Sequence, residues 1–278
     1  MKNFIIRALT GIAIVAVQVL CTYLSPLSLA GLFLLLTALT VNEFLGIVSL
    51  KGQVQVNRPI VIVGSCYLFF AFWLNCLTRG SSLVVFAPYL VFLLYCYIKE
   101  LYSHHDNPIV NLGATMLSQI YIVLPLSLIN LLAFGDFACF SGEAPFYAIP
   151  LAVYIFIWAS DTGAYLSGSL LGRHKLFPRI SPKKSWEGSI GGALLTVGAA
   201  VTVAHFYGFM NVWQWIGMAL VVVVFSTYGD LTESMIKRHL GIKDSGNILP
   251  GHGGLLDRLD SMLFAIPAVI MYLYMLSL

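Results

Sequence analysis

Ser234–Asp260, SMIKRHLGIKDSGNILPGHGGLLDRLD, gathers Lys237, Arg238, Lys243, Asp244, His252, Asp257, Arg258 and Asp260 into one short stretch. Charged residues make up only 10% of this 278-residue chain, so such a concentration of both signs needs a reason. Asp230, Ser234 and Lys237 are four and three residues apart, which sets them on one face wherever the chain is helical. Asp257, Asp260 and Ser261 share a face in the same way. Between the two groups, Pro250-Gly-His-Gly-Gly254 lets backbone approach a ligand closely, because glycine lacks a Cβ and accepts positive φ. Oxygen donors from two facing helix ends suit a hard cation such as Mg²⁺, commonly held by one or two carboxylates together with phosphate oxygens. Arg258 and Lys243 can neutralise further phosphate charge, arginine in bidentate fashion. His252 fits ligand contact and packing of the turn equally well. The plain alternative is a solvated loop of internal salt bridges. It is weakened because Asp257 and Arg258 are adjacent and do not face one another on a helix.

Two other segments carry polar chemistry. Asp161, in Trp158-Ala-Ser-Asp-Thr-Gly-Ala-Tyr165, sits inside an apolar run, where a carboxylate costs about 2.5–3.5 kcal/mol on insertion scales. A cation, a metal or a water-filled cavity has to offset that cost; the bland reading is a carboxylate satisfied by a neighbouring Ser, Thr or Lys. Gly168 and Gly172 form a GxxxG pattern, read as a close helix contact. In Gly172–Gly188, Ser181-Pro182 starts a turn, and Lys183, Lys184 and Ser185 directly precede a helix beginning near Trp186. Free backbone N–H groups and the helix dipole join the two ammonium charges there, which favours phosphate. A basic loop that merely fixes topology is the competing reading.

The elements that must position these groups are membrane helices. The chain is 59% hydrophobic with mean hydropathy +0.88, whereas a soluble domain is about 45–50% apolar and about 25% charged. Folding in water would leave large oily surfaces uncovered. Five cysteines form no CxxC pair and four lie in apolar runs, so neither a disulfide framework nor a zinc site is expected. A span needs about 20 apolar residues. Nine runs qualify: Phe4–Tyr23, Leu27–Val48, Ile60–Leu77, Leu83–Ile98, Leu112–Phe134, Tyr147–Leu171, Ser189–Phe209, Val212–Gly229 and Ser261–Leu278. Lys2 and Arg7 before the first run give the layout of a signal peptide, but a second run follows at once, so the first is read as a retained span. The expected fold is all-α and polytopic. Residues 1–146 form a scaffold of about five helices, and residues 147–278 form a catalytic region with polar loops 172–188 and 230–260. With the N-terminus in the cytoplasm and the C-terminus outside, every Lys and Arg except Arg79 falls on the inner side, as the positive-inside bias requires.

Ser234–Asp260 resembles the signature of the phosphatidate cytidylyltransferases, also called CDP-diacylglycerol synthases. The elements that carry the resemblance are Ser234, Lys237-Arg238, Lys243-Asp244, Pro250, His252-Gly253-Gly254 and Asp257-Arg258-Leu259-Asp260. Asp161–Tyr165 and Ser181–Gly188 look like family segments too, with Ser185 where threonine is more often expected. The resemblance implies an all-helical, dimeric membrane enzyme that joins phosphatidate to CTP, forming CDP-diacylglycerol and pyrophosphate with Mg²⁺; a second metal or a monovalent cation is left open. Carried onto this chain, Asp230 and Asp257 become metal ligands with Asp260 beside them, and Ser234 and Lys237 belong to the same catalytic site. Lys237, Arg238, Lys243 and Arg258 then hold the triphosphate together with the His252-Gly253-Gly254 turn. Lys183 and Lys184 take the lipid phosphate, and a polar cavity reaches toward Asp161. The partners implied are the bilayer and the two substrates, with no nucleic acid. The expected location is the bacterial inner membrane, with the site facing the cytoplasm. Two rivals stay open: a secondary transporter using Asp161 as a mid-membrane ion site, and a CTP-dependent lipid kinase, which would release CDP.

Overall fold

A computed structural model describes residues 2–51, 54–78, 80, 82–246, 248 and 253–278, with side chains from residue 9 onward. Its helices are α1 (Lys2–Leu24), α2 (Pro26–Lys51), α3 (Arg58–Leu77), α4 (Ala87–Tyr102), α5 (Pro108–Phe134), α6 (Ala148–Leu171), α7 (Trp186–Phe206), α8 (Val212–His239) and α9 (Leu256–Leu276). Eight of them are long and apolar enough, over their described residues, to cross a membrane. α1 is apolar over Leu9–Leu24, a shorter described stretch, so eight candidate spans stand among the described residues beside the nine expected. The protein is an all-α, polytopic membrane protein with one small exception to the expectation. Residues read as a turn and loop around Ser181-Pro182 form an antiparallel hairpin, β1 (Lys175–Phe177) and β2 (Ser181–Ser185), with Lys175 opposite Ser185.

The chain forms two compact units. The first joins Met1–Phe134 with His239–Leu259, and the second joins Gly135–Arg238 with Asp260–Leu278. In the first, prolines open α2, α3 and α5 at positions where a missing N–H costs no helical bond. Phe33, Phe44, Phe69, Ile122 and Ile129 fill its core. α5 runs through a π turn at Gln119–Val123 just before Pro125, which cannot donate the next helical bond. Gln119 there donates to Ser65 Oγ at 2.9 Å and accepts from the Tyr89 hydroxyl at 3.2 Å, so a buried amide in the lipid zone has partners.

In the second unit, α6 and α7 pack along small residues. A Cβ at Gly163 would meet the Gly191 carbonyl at 2.7 Å, and one at Gly192 would meet the Ser160 carbonyl at 2.8 Å. Gly168 lies against Gly188 in the same seam, while a Cβ at Gly172 would meet Ser185 Oγ at 2.8 Å. Between lipid-bathed helices there is little hydrophobic gain, so close backbone approach supplies the attraction. Gly163→Val is therefore expected to separate α6 from α7. It should destabilise the protein by about 1–3 kcal/mol, read as a lower thermal midpoint in detergent. An unchanged midpoint would show that the seam yields without loss.

Candidate active site

α8 and α9 cross at Gly229, where a Cβ would collide with the Asp260 carbonyl and the Ser261 Cα. That close approach, possible only without a side chain, sets Asp230 beside Asp260. α8 continues as helix through His239, beyond its apolar part, so Glu233, Ser234 and Lys237 follow Asp230 in helical register. One carboxylate oxygen from each of Asp230, Glu233 and Asp260 lies within 4.8 Å of the other two. Glu233 is only 1% exposed. Carboxylates this close repel strongly in a poorly hydrated setting when charged, and the chain sets two ammonium groups against them. Lys184 Nζ lies 2.7 Å from Asp230 Oδ2, and Lys237 pairs with Glu233 Oε2 one helical turn away. The Ser234 hydroxyl donates to Asp230 Oδ1 at 3.2 Å, and the Ser261 N–H donates to Asp260 Oδ1 at 2.6 Å. Hard oxygen donors converging from two helices are the donor set Mg²⁺ prefers, so these residues fit such an ion.

Beside this cluster, within the second unit, is a cavity of about 420 Å³. Asp161, Lys183, Lys184, Ser185, Thr227 and Asp230 contribute to its wall. Ser185 caps α7, its Oγ accepting from Gly188 N at 3.2 Å, so the positive end of the helix opens at the cavity. Glu187 ties the hairpin to α7 by accepting from the backbone N–H groups of Arg173 and His174 and pairing with the His174 ring at 2.6 Å. Lys184 also reaches the Thr227 carbonyl at 3.4 Å. Thus Asp161, Lys183, Lys184 and Asp230, chosen from separate segments of the sequence, line one cavity.

Apart from Arg238, the other described signature residues belong to the first unit. Asp257 Oδ2 accepts the backbone N–H groups of Ser245 and Gly254, both at 2.9 Å. Gly253 has φ +83°, which favours glycine, and a Cβ on Gly254 would strike Ser245 Oγ and the Glu43 carboxylate. Here the glycines admit the protein's own side chains. Lys243 and Arg258 are exposed in that unit, and Arg238 is exposed near the end of α8 in the second. His252, with Pro250, falls outside the described residues. Two acids were missed in the sequence. Glu43, 8% exposed, is the lone acidic residue of the apolar α2, a signal of the same kind as Asp161. Glu233 stands three residues after Asp230 and shares its helical face.

The fold and site together define a polytopic helical membrane protein whose second unit holds a cavity edged by both ammonium and carboxylate groups. The chain belongs to the cytidylyltransferase family, whose sequence profile matches residues 5–276. Among its relatives, a phosphatidate cytidylyltransferase of Staphylococcus aureus (strain COL) is 50% identical over 118 residues, covering 42% of this chain and 45% of the relative. One from Haemophilus influenzae is 46% identical over 130 residues, covering 44% and 45%. The chain thus aligns with less than half the length of each of these relatives.

Proposed function

We propose that this protein transfers the cytidylyl group of CTP to phosphatidate, releasing pyrophosphate and leaving CDP-diacylglycerol in the membrane. The observation that carries this reading is the cavity in which Lys183 and Lys184 stand beside Asp230, one of three converging carboxylates. A phosphate oxygen of phosphatidate attacks the α-phosphorus of CTP. The new P–O bond forms as the bond to the β-phosphate oxygen breaks, and pyrophosphate departs with that electron pair. The nucleophile is already an anion, so no strong base is needed. The barrier lies in bringing two polyanions together, and positioning with charge neutralisation is what the site must supply. Lys183, Lys184 and the capped start of α7 hold the lipid phosphate. Arg238, Lys243 and Arg258 hold the triphosphate, joined by His252, Gly253 and Gly254. Ser234 and Lys237 orient Asp230 and Glu233. Mg²⁺ would be held by Asp230, Glu233 and Asp260, with Asp257 a further candidate, and when bound would neutralise charge on the nucleotide phosphates. The N-terminus and the site face the cytoplasm of a bacterial inner membrane, where CTP is found, and the working form is a homodimer.

Purified protein in detergent, given CTP and phosphatidate, should release pyrophosphate in step with CDP-diacylglycerol. Release of CDP would instead identify a lipid kinase, and neither product would favour the transporter. Lys184→Ala should raise the KM for phosphatidate about tenfold or more, as loss of a charge-assisted bond predicts, with a smaller change in kcat. An unchanged KM removes Lys184 from lipid binding.

A further inference from the structure

Glu43 lies on α2, some 200 residues before the signature stretch, and belongs to no motif in it. Yet its carboxylate is the anchor of that stretch in the first unit. The Ser245 hydroxyl and the Leu256 N–H donate to Oε1, the latter at 3.1 Å, and the Leu255 N–H donates to Oε2 at 2.9 Å. Leu256 opens α9 and Leu255 directly precedes it, where the first N–H groups have no partner within the helix. Glu43 therefore caps α9 from another helix, and its negative charge sits at the positive end of the dipole. Gly246 and Gly254 leave the room it needs, since a Cβ on either would meet the Glu43 side chain. Asp257 closes the same structure from the other side by accepting Ser245 N–H and Gly254 N–H. Ser245, only 3% exposed, is thus held at its hydroxyl by one carboxylate and at its amide by another.

We infer that Glu43 is a positioning residue: its carboxylate fixes Ser245 and the first turn of α9, and so fixes where Asp257 and Arg258 stand for the nucleotide. This rests on the function proposed above. A carboxylate is required by the chemistry of the partners. All three are donors, and glutamine would turn an NH₂ toward one or two of them. Aspartate is one methylene too short to reach all three from the same backbone.

The test uses the full chain in detergent. In Glu43→Gln, hydrogen exchange at Leu255, Leu256 and Ser245 should quicken. The KM for CTP should rise and kcat fall by about 10–100-fold together, as loss of a residue that orients binding groups predicts, while the KM for phosphatidate holds. Loss of fold alone would shrink the active fraction and leave both KM values as they were, so that result overturns the inference, as does unchanged exchange. If Glu43→Gln does not fold, Ser245→Ala, which leaves the carboxylate on Leu255 and Leu256, should shift the CTP KM in the same direction by less; no shift overturns the inference. A wild-type protein that makes no CDP-diacylglycerol refutes the proposed reaction, and the exchange measurement still tests the role of Glu43.

Discussion

Asp230→Ala should lower the rate of CDP-diacylglycerol formation by about 10²–10³-fold or more, the scale set by losing one preorganised electrostatic partner of a reacting phosphate. No other described side chain is so placed. One oxygen of Asp230 meets Lys184 at 2.7 Å, the other accepts from Ser234 at 3.2 Å, and the residue belongs to the three-carboxylate cluster. Removing it deletes a proposed cation ligand and the ion-pair partner of Lys184 at the same time. Asp230→Asn separates these roles from packing, since the amide oxygen can still accept from Ser234 while the charge is gone. It should be nearly as inactive as the alanine variant, and both should insert, elute and melt like the parent, because Asp230 is only half-buried. Mg²⁺ affinity measured by titration calorimetry should fall with activity. Full activity in either variant would end the assignment of Asp230 as a cation ligand.

The helices were readable because lipid imposes a simple rule: an apolar run long enough to span must satisfy its backbone within itself, and a helix does so. The ends were less readable. α8 extends ten residues past the apolar run that marked it, since Asp230–His239 has polar residues with ordinary helix preference and carries the site beyond the hydrophobic part. The hairpin 175–185 was missed because three- and five-residue strands carry almost no periodic signal, and Pro182 reads as a turn. The meeting of Asp230 with Asp260 could be expected from two short motifs, but Gly229, the residue that permits it, is one glycine among 24. Glu43 shows the limit most plainly. Its partners lie more than 200 positions away, and only three dimensions bring His239–Leu259 into the same unit as α2.

Asp257 joins two demands in one carboxylate, and substitution can divide them. Its Oδ2 holds the amides of Ser245 and Gly254 in the first unit, which is a structural duty. As the first acid of the Asp-Arg-Leu-Asp element it is also proposed to serve the nucleotide's cation. Asparagine keeps one carbonyl oxygen with two lone pairs, enough for both amides, but brings no negative charge. Asp257→Asn should therefore keep the parent's melting point and its exchange at Gly254, yet lose about 10²-fold or more in kcat, the scale expected when one charged partner of the reacting phosphates is removed. Asp257→Ala should lose activity and stability together. Two buried or half-buried amides are then left without their acceptor, each worth about 1–3 kcal/mol, and exchange at Ser245 and Gly254 should quicken. If asparagine instead restores full turnover, the charge does no chemistry and Asp257 is a loop anchor alone. The cation would then rest on the carboxylates that α8 and α9 bring together in the second unit, Asp230, Glu233 and Asp260.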